Sequence, residues 1–206
     1  MRAATRNFDL GRILAVLALV LGAACPSTLP KYPYDKEPDP RNKEIVLGVG
    51  DAVSINVWEN KDLNTDATIR PDGMITMPLI GDLKAVGETP TTLKDKIKTR
   101  LKDFVRMQGT DITIAVRSWK SYRFTIQGEV QHAGVFSADQ YVTVADALAL
   151  AGGLSRFAKR NEVQVLRRDA KSGEVRKIPI DYDAIASGKR QDMNICVLAG
   201  DTIWVP

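Results

Sequence analysis

The segment Val49-Gly50-Asp51-Ala52-Val53-Ser54-Ile55-Asn56-Val57-Trp58 decides the reading of the fold. Val53, Ile55 and Val57 alternate with Ser54, Asn56 and Trp58, the period of two that sets one face of a strand against a core and the other toward solvent. The same pattern assigns Trp58 to core or interface packing. Gly50-Asp51 stands just ahead of the strand, where Gly relieves a turn and Asp can bond its own downstream amide. Leu198-Ala199-Gly200-Asp201-Thr202-Ile203 repeats the arrangement near the other end, and the pair reads as one turn device used twice rather than as a shared ligand site.

Downstream, Thr68-Ile69-Arg70 enters Pro71-Asp72-Gly73 and leaves through Met74-Ile75-Thr76-Met77, which predicts a hairpin, because Pro presets φ for a turn and Gly accepts positive φ. A short apolar run, Met77 to Ile80, stops at Gly81-Asp82. Leu93, Ile97, Leu101 and Phe104 recur every turn behind Thr92, predicting an amphipathic helix capped by that threonine. After Gln108-Gly109, the alternation Ile112 to Val116 is a further strand. The β-β-β-α-β succession predicts a small domain of antiparallel strands covered by one helix over residues 45–118.

A second unit follows over residues 119–206. Arg123 to Gln127, Val135-Phe136, Val163 to Leu166, Val175 to Ile180 and Ile203 to Val205 read as strands. Thr143 caps a helix from Val144 to Ala151, and Gly152-Gly153 end it. Gly128 to Gly134 form a turn-rich connection holding the only histidine, His132. Four or five strands around one helix suggest a β-grasp domain, so the fold class is α+β: a small mixed domain, then a β-grasp.

Ahead of these domains, Arg2, Arg6 and Arg12 precede an uncharged, mostly apolar run from Ile13 to Ala24, the pattern of a secretion signal over residues 1–24. That run is too short to span a bilayer core of about 30 Å at about 1.5 Å per residue. Leu21-Gly22-Ala23-Ala24-Cys25 resembles the lipobox of bacterial lipoproteins, with Gly22 where leucine is usual, and predicts acylation at Cys25; the alternative is ordinary cleavage after Ala24. Cys196, in an apolar-rich stretch, is then an unpaired buried thiol. Five of the ten prolines lie between Pro26 and Pro40, which predicts a stiff extended tether over residues 25–44. The net charge is +4, and half of it belongs to the signal segment; what remains is scattered and gives no footprint for nucleic acid.

Three strings in register carry a family resemblance: Val49 to Trp58 with Gly50-Asp51, Ile69 to Ile75 with Arg70, Asp72 and Gly73, and Pro78-Leu79-Ile80-Gly81. Together they resemble the polysaccharide export (OPX, Wza-type) domain. Gly128-Glu129-Val130 with Gly134-Val135, Ala147-Leu148 with Ala151-Gly152-Gly153-Leu154, and the closing Gly200-Asp201-Thr202-Ile203-Trp204-Val205-Pro206 are similar to the SLBB (soluble ligand-binding β-grasp) domain that follows it. The resemblance implies a periplasmic lipoprotein at the outer membrane that forms a homo-oligomeric ring, guides exported polysaccharide and meets an inner-membrane copolymerase. Long members carry further SLBB repeats and a C-terminal barrel-lining helix; with one SLBB unit before Pro206, the expectation is a short member served by a separate outer-membrane β-barrel.

Two other classes compete with that expectation. Asp181-Tyr182-Asp183 or Asp72 as the acid and base of polysaccharide cleavage require a fixed carboxyl separation; a solvated turn near Gly188 is the blander account of the pair. No nucleophile elbow, phosphate loop or metal spacing is present, so no enzyme, cofactor or metal is expected. A monomeric periplasmic glycan-binding adaptor requires a groove with exposed aromatics, for which Trp58, Trp119 and Trp204 are the candidates.

Overall fold

The computed structural model describes residues 31–105, 112–169 and 172–206; the signal segment, Cys25 and the Gln108-Gly109 turn lie outside them. β1 (Ala52–Val57) is the centre of a three-stranded antiparallel sheet, flanked by β2 (Thr65–Thr68) and β5 (Ile112–Ser118). With neighbours on both edges, β1 buries Ser54 as well as Val53, Ile55 and Val57, so its alternation is less clean than a half-exposed strand predicts. β3 (Met74–Met77) and β4 (Gly81–Lys84) form a separate two-stranded ribbon.

The predicted hairpin is therefore corrected. The Pro71-Asp72-Gly73 turn exists, closed by Gly73 N–H to the Arg70 carbonyl at 2.8 Å and Arg70 N–H to the Met74 carbonyl at 3.0 Å. Its arms do not form a ladder: β2 pairs with β1, and β3 turns back at Pro78 to pair with β4.

α1 (Pro90–Leu101) begins earlier than expected. Thr89, not Thr92, is its cap: the Thr89 hydroxyl accepts from Thr92 N–H while the Thr92 hydroxyl accepts from Thr89 N–H, and Pro90 occupies the first turn, where its missing N–H costs nothing. Leu93, Ile97 and Leu101 are fully buried in a core with Leu47, Ile55, Ile69 and Ile75, whereas Phe104 lies past the helix end and is exposed. Each fully buried side chain of this kind contributes about 1.5–3 kcal/mol.

The second half is a five-stranded mixed sheet in the order β7-β6-β10-β8-β9, from β6 (Arg123–Gly128), β7 (Gly134–Ser137), β8 (Val163–Arg168), β9 (Val175–Ile180) and β10 (Thr202–Val205). The last strand enters the middle, parallel to β6 and antiparallel to β8. α2 (Val144–Leu150) buries Val144, Ala147 and Leu148, and its Thr143 cap forms a reciprocal box with Asp146. Asp181 caps the short α3 (Tyr182–Ala186) through Ala184 N–H.

The tether expectation fails for residues 32–37. Tyr34 is buried, its hydroxyl donates to the Pro179 carbonyl at 2.5 Å, and Arg190 lies over its ring. A Pro-rich composition predicts extension in an isolated chain, and here an aromatic and a carboxylate find partners on the β-grasp half.

Candidate functional site

The two Gly-Asp turns are built alike. Gly50 and Gly200 have φ of 90° and 85°, which frees the following Asp to fold back. Asp51 accepts from Gly48 N–H at 2.8 Å, and Asp201 accepts from Leu198 N–H at 2.8 Å. The bonded amide lies three residues upstream, not downstream as the sequence suggested. Each Asp is buried and directs its remaining acceptor capacity to a long-range contact. Asp51 takes Ser121 N–H and the Ser121 hydroxyl, both at 2.7 Å, joining the start of the first half to the start of the second. Asp201 takes Arg167.

Arg167 is the largest feature missed in the sequence. Its side chain is 4% exposed, between Asp201 at 2% and Glu37 at 4%. Nε and Nη2 donate to Asp201 at 3.0 and 2.6 Å, Nη1 to Glu37 at 2.7 Å, and Nη2 also to the Cys196 carbonyl at 2.8 Å. Burial pulls the guanidinium down, but the bonds and charges of Asp201 and Glu37 outweigh it and hold it above its ordinary value. Glu37 also pairs with the half-exposed Arg176 at 3.2 Å. The available signal was the alternation Val163, Val165, Arg167, which puts an arginine on the core face of β8 and so requires buried carboxylates.

Arg70 is pinned within its own turn. It donates to both oxygens of Asp72 and of Asp82 and to Thr76, and those bonds hold the two carboxyls below their usual range. Asp72 also accepts from Met74 N–H. Gly73 offers its carbonyl to Ala85 and Val86 N–H, and Gly81 opens β4.

The second set of motif residues converges despite its sequence separation. Glu129 N–H donates to the Val205 carbonyl, Gln131 N–H to the Gly153 carbonyl, and Gly152 N–H to the Ala149 carbonyl beside His132. Gly134 starts β7. Gly128 has φ 94°, and a Cβ there would lie 1.9 Å from the Val205 carbonyl oxygen. Asp181 and Asp183 do not form an acid–base pair: the first caps α3 and the second pairs with Arg160 at 2.6 Å. Among the described residues no group of His, Cys, Asp and Glu is placed to hold a metal ion.

Trp58 is not a core residue. It leaves β1 at the strand end and is 72% exposed, whereas Trp119 is buried against Tyr122 and Tyr141, and Trp204 is half-buried. Beside Trp58 lies an open cavity of about 640 Å³, also lined by Asn56, Lys61, Asn64 and Thr113.

Residues 39–117 match the family model described as polysaccharide biosynthesis/export protein, and residues 123–179 match the SLBB domain. The greater part of the chain is thus a polysaccharide biosynthesis/export domain followed by an SLBB domain. The chain is similar to the exopolysaccharide production protein ExoF of Rhizobium meliloti, 29% identical over 127 residues that cover 56% of this chain and 30% of ExoF. The EPS I polysaccharide export outer membrane protein EpsA of Ralstonia nicotianae is 26% identical over 183 residues, 77% of this chain and 46% of EpsA. The capsule polysaccharide export outer membrane protein CtrA of Neisseria meningitidis serogroup B is 22% identical over 176 residues, 76% of this chain and 42% of CtrA. The chain thus spans less than half the length of these relatives. Among the described residues no helix is long and apolar enough to cross a membrane.

Proposed function

We propose that this protein serves in the export of a capsular or extracellular polysaccharide as a non-enzymatic conduit component on the periplasmic side of the outer membrane. In this reading the chain is acylated at Cys25 and assembles into a homo-oligomeric ring. The ring receives the glycan from an inner-membrane copolymerase and passes it to a separate outer-membrane β-barrel. The observation that carries the reading is the succession of an export domain and an SLBB domain, residues 39–117 and 123–179, which resembles the order in export proteins. The buried Asp51–Ser121 contact supports it by tying the two halves together through a carboxylate.

Light scattering and negative-stain imaging of the mature, detergent-extracted protein test the ring. A closed ring is expected; a monomer at every concentration, alone and with its membrane partners, removes the conduit. Conducting pores formed in planar bilayers by the purified protein alone remove the separate β-barrel. A second reading, a monomeric glycan-binding adaptor, is favoured by one observation, the exposed Trp58 beside its cavity.

A further inference from the structure

The face of the export half around Trp58 is unlike the other exposed apolar positions of the molecule. Asn56 and Thr113 are paired directly across β1 and β5, so their side chains stand next to each other on the exposed side of the sheet. Asn64 is fixed at the opposite wall by accepting from Val57 N–H at 2.8 Å, which leaves its amide donors uncommitted. Among the described residues, the side chains of Asn56, Lys61 and Thr113 have no hydrogen-bond partner. The chain turns beside the indole through Glu59, a non-glycine residue at φ 60°. That backbone is uncommon for a side-chain-bearing residue.

We infer that this cavity is a saccharide subsite in which Trp58 stacks on the C–H face of one pyranose unit while Asn56, Asn64, Thr113 and Lys61 bind its hydroxyls. The inference rests on the export reading and assigns a place where the glycan touches the chain. A pyranose presents one apolar face and a rim of donors and acceptors, and this surface supplies the complement of both: a rigid aromatic platform and several polar groups not already used by the protein. A protein-binding hot spot also favours Trp, but seats it in a well-packed, fully desolvated pocket beside other hot-spot residues. Here a single large aromatic is surrounded by amides, a hydroxyl and the charge-balanced pair Glu59 and Lys61. The volume, about 640 Å³, falls within the range of small-ligand sites.

The test uses the full-length, detergent-extracted protein and short oligosaccharides cut by mild acid from the host strain's own surface polysaccharide. With Trp119 buried and Trp204 half-buried, acrylamide quenching of tryptophan fluorescence reports mainly on Trp58. The oligosaccharides are expected to shield that fluorescence. Isothermal titration calorimetry, which needs no fluorophore at position 58, compares the variants: Trp58→Ala should weaken binding about tenfold or more, the scale of one lost contact of about 1.4 kcal/mol, while Trp58→Phe retains most of it and both variants keep the wild-type melting temperature. The inference is overturned if the fragments fail to bind, if they bind Trp58→Ala as they bind wild type, or if Trp58→Ala breaks the oligomer with binding unchanged, which makes Trp58 an interface residue. Complementation separates the two readings: a wild-type chain that restores export in a deletion strain yet binds no fragment sinks the subsite alone, whereas a deletion strain that still exports its glycan sinks the export reading itself.

Discussion

Replacing Arg167 by Met keeps most of its volume and removes the buried cation that stands between two buried carboxylates. Glu37 and Asp201 are 4% and 2% exposed, so neither regains water when the guanidinium goes. Asp201 keeps one amide donor, from Leu198, and Glu37 keeps the half-exposed Arg176. Breaking a buried pair in this way costs about 3–5 kcal/mol, a large part of the roughly 5–15 kcal/mol that holds a domain folded. For a chain of this size the melting temperature should fall by roughly 6–20 °C. Removing all three charges, as Glu37→Gln, Arg167→Met and Asp201→Asn together, should recover most of the loss, since the main penalty belongs to uncompensated charge rather than to missing attraction. Urea unfolding followed by circular dichroism compares wild type, the single variant and the triple variant. A cost below about 1 kcal/mol for Arg167→Met, or a triple variant no more stable than the single one, refutes the reasoning.

Other consequences follow from single residues. Burial pushes the Cys196 thiol up to about 11, so in a Cys25→Ser background it should stay unreactive to a disulfide reagent at pH 8 and react fully once urea unfolds the chain. Burial also raises the Tyr122 phenol from 10.0 to about 12. A folded value above the unfolded one means a contribution present below pH 10 and lost as pH rises toward 12, and Tyr122→Phe should flatten that alkaline decline in a pH series of urea midpoints. Gly128→Ala combines φ 94° with a Cβ 1.9 Å from a backbone oxygen and should cost at least about 2 kcal/mol, read as a lowered urea midpoint. Glu37→Ala should release the segment around Tyr34 and make Lys36 a fast tryptic site, which mass spectrometry of the first fragments detects.

Local chemistry was legible and partner choice was not. Alternation placed β1 and β5 because a strand's two faces imprint a period of two, and Gly152-Gly153 marked the end of α2 because their positive φ stops a helix. The turn at Pro71-Asp72-Gly73 was legible for the same local reason. Which strand its arms would pair with depends on β1 and β4, and no residue in the turn encodes that. The cap of α1 was misplaced by three residues because Thr92 stands next to the first apolar position, while Pro90 points to Thr89. Of the site residues, the Gly-Asp turns were found through their repetition, but Ser121 and Arg167 lie far along the chain from the carboxylates they satisfy. Trp58 escaped because period two says which face a residue takes only while the strand lasts, and β1 ends at Val57.

Under the proposed acylation at Cys25, the clamp on Glu37 would also set the length of a leash. A free run from Cys25 to Glu44 would let the folded body drift roughly 65–70 Å from a membrane anchor at full extension. With Tyr34 and Glu37 seated on the β-grasp half, the chain length from Cys25 to Tyr32 sets the upper bound, at most about 25 Å. An acyl chain on Cys25 would then hold the protein against the lipid surface like a short mooring, so that its height above the membrane is decided by one buried arginine rather than by the prolines that precede it.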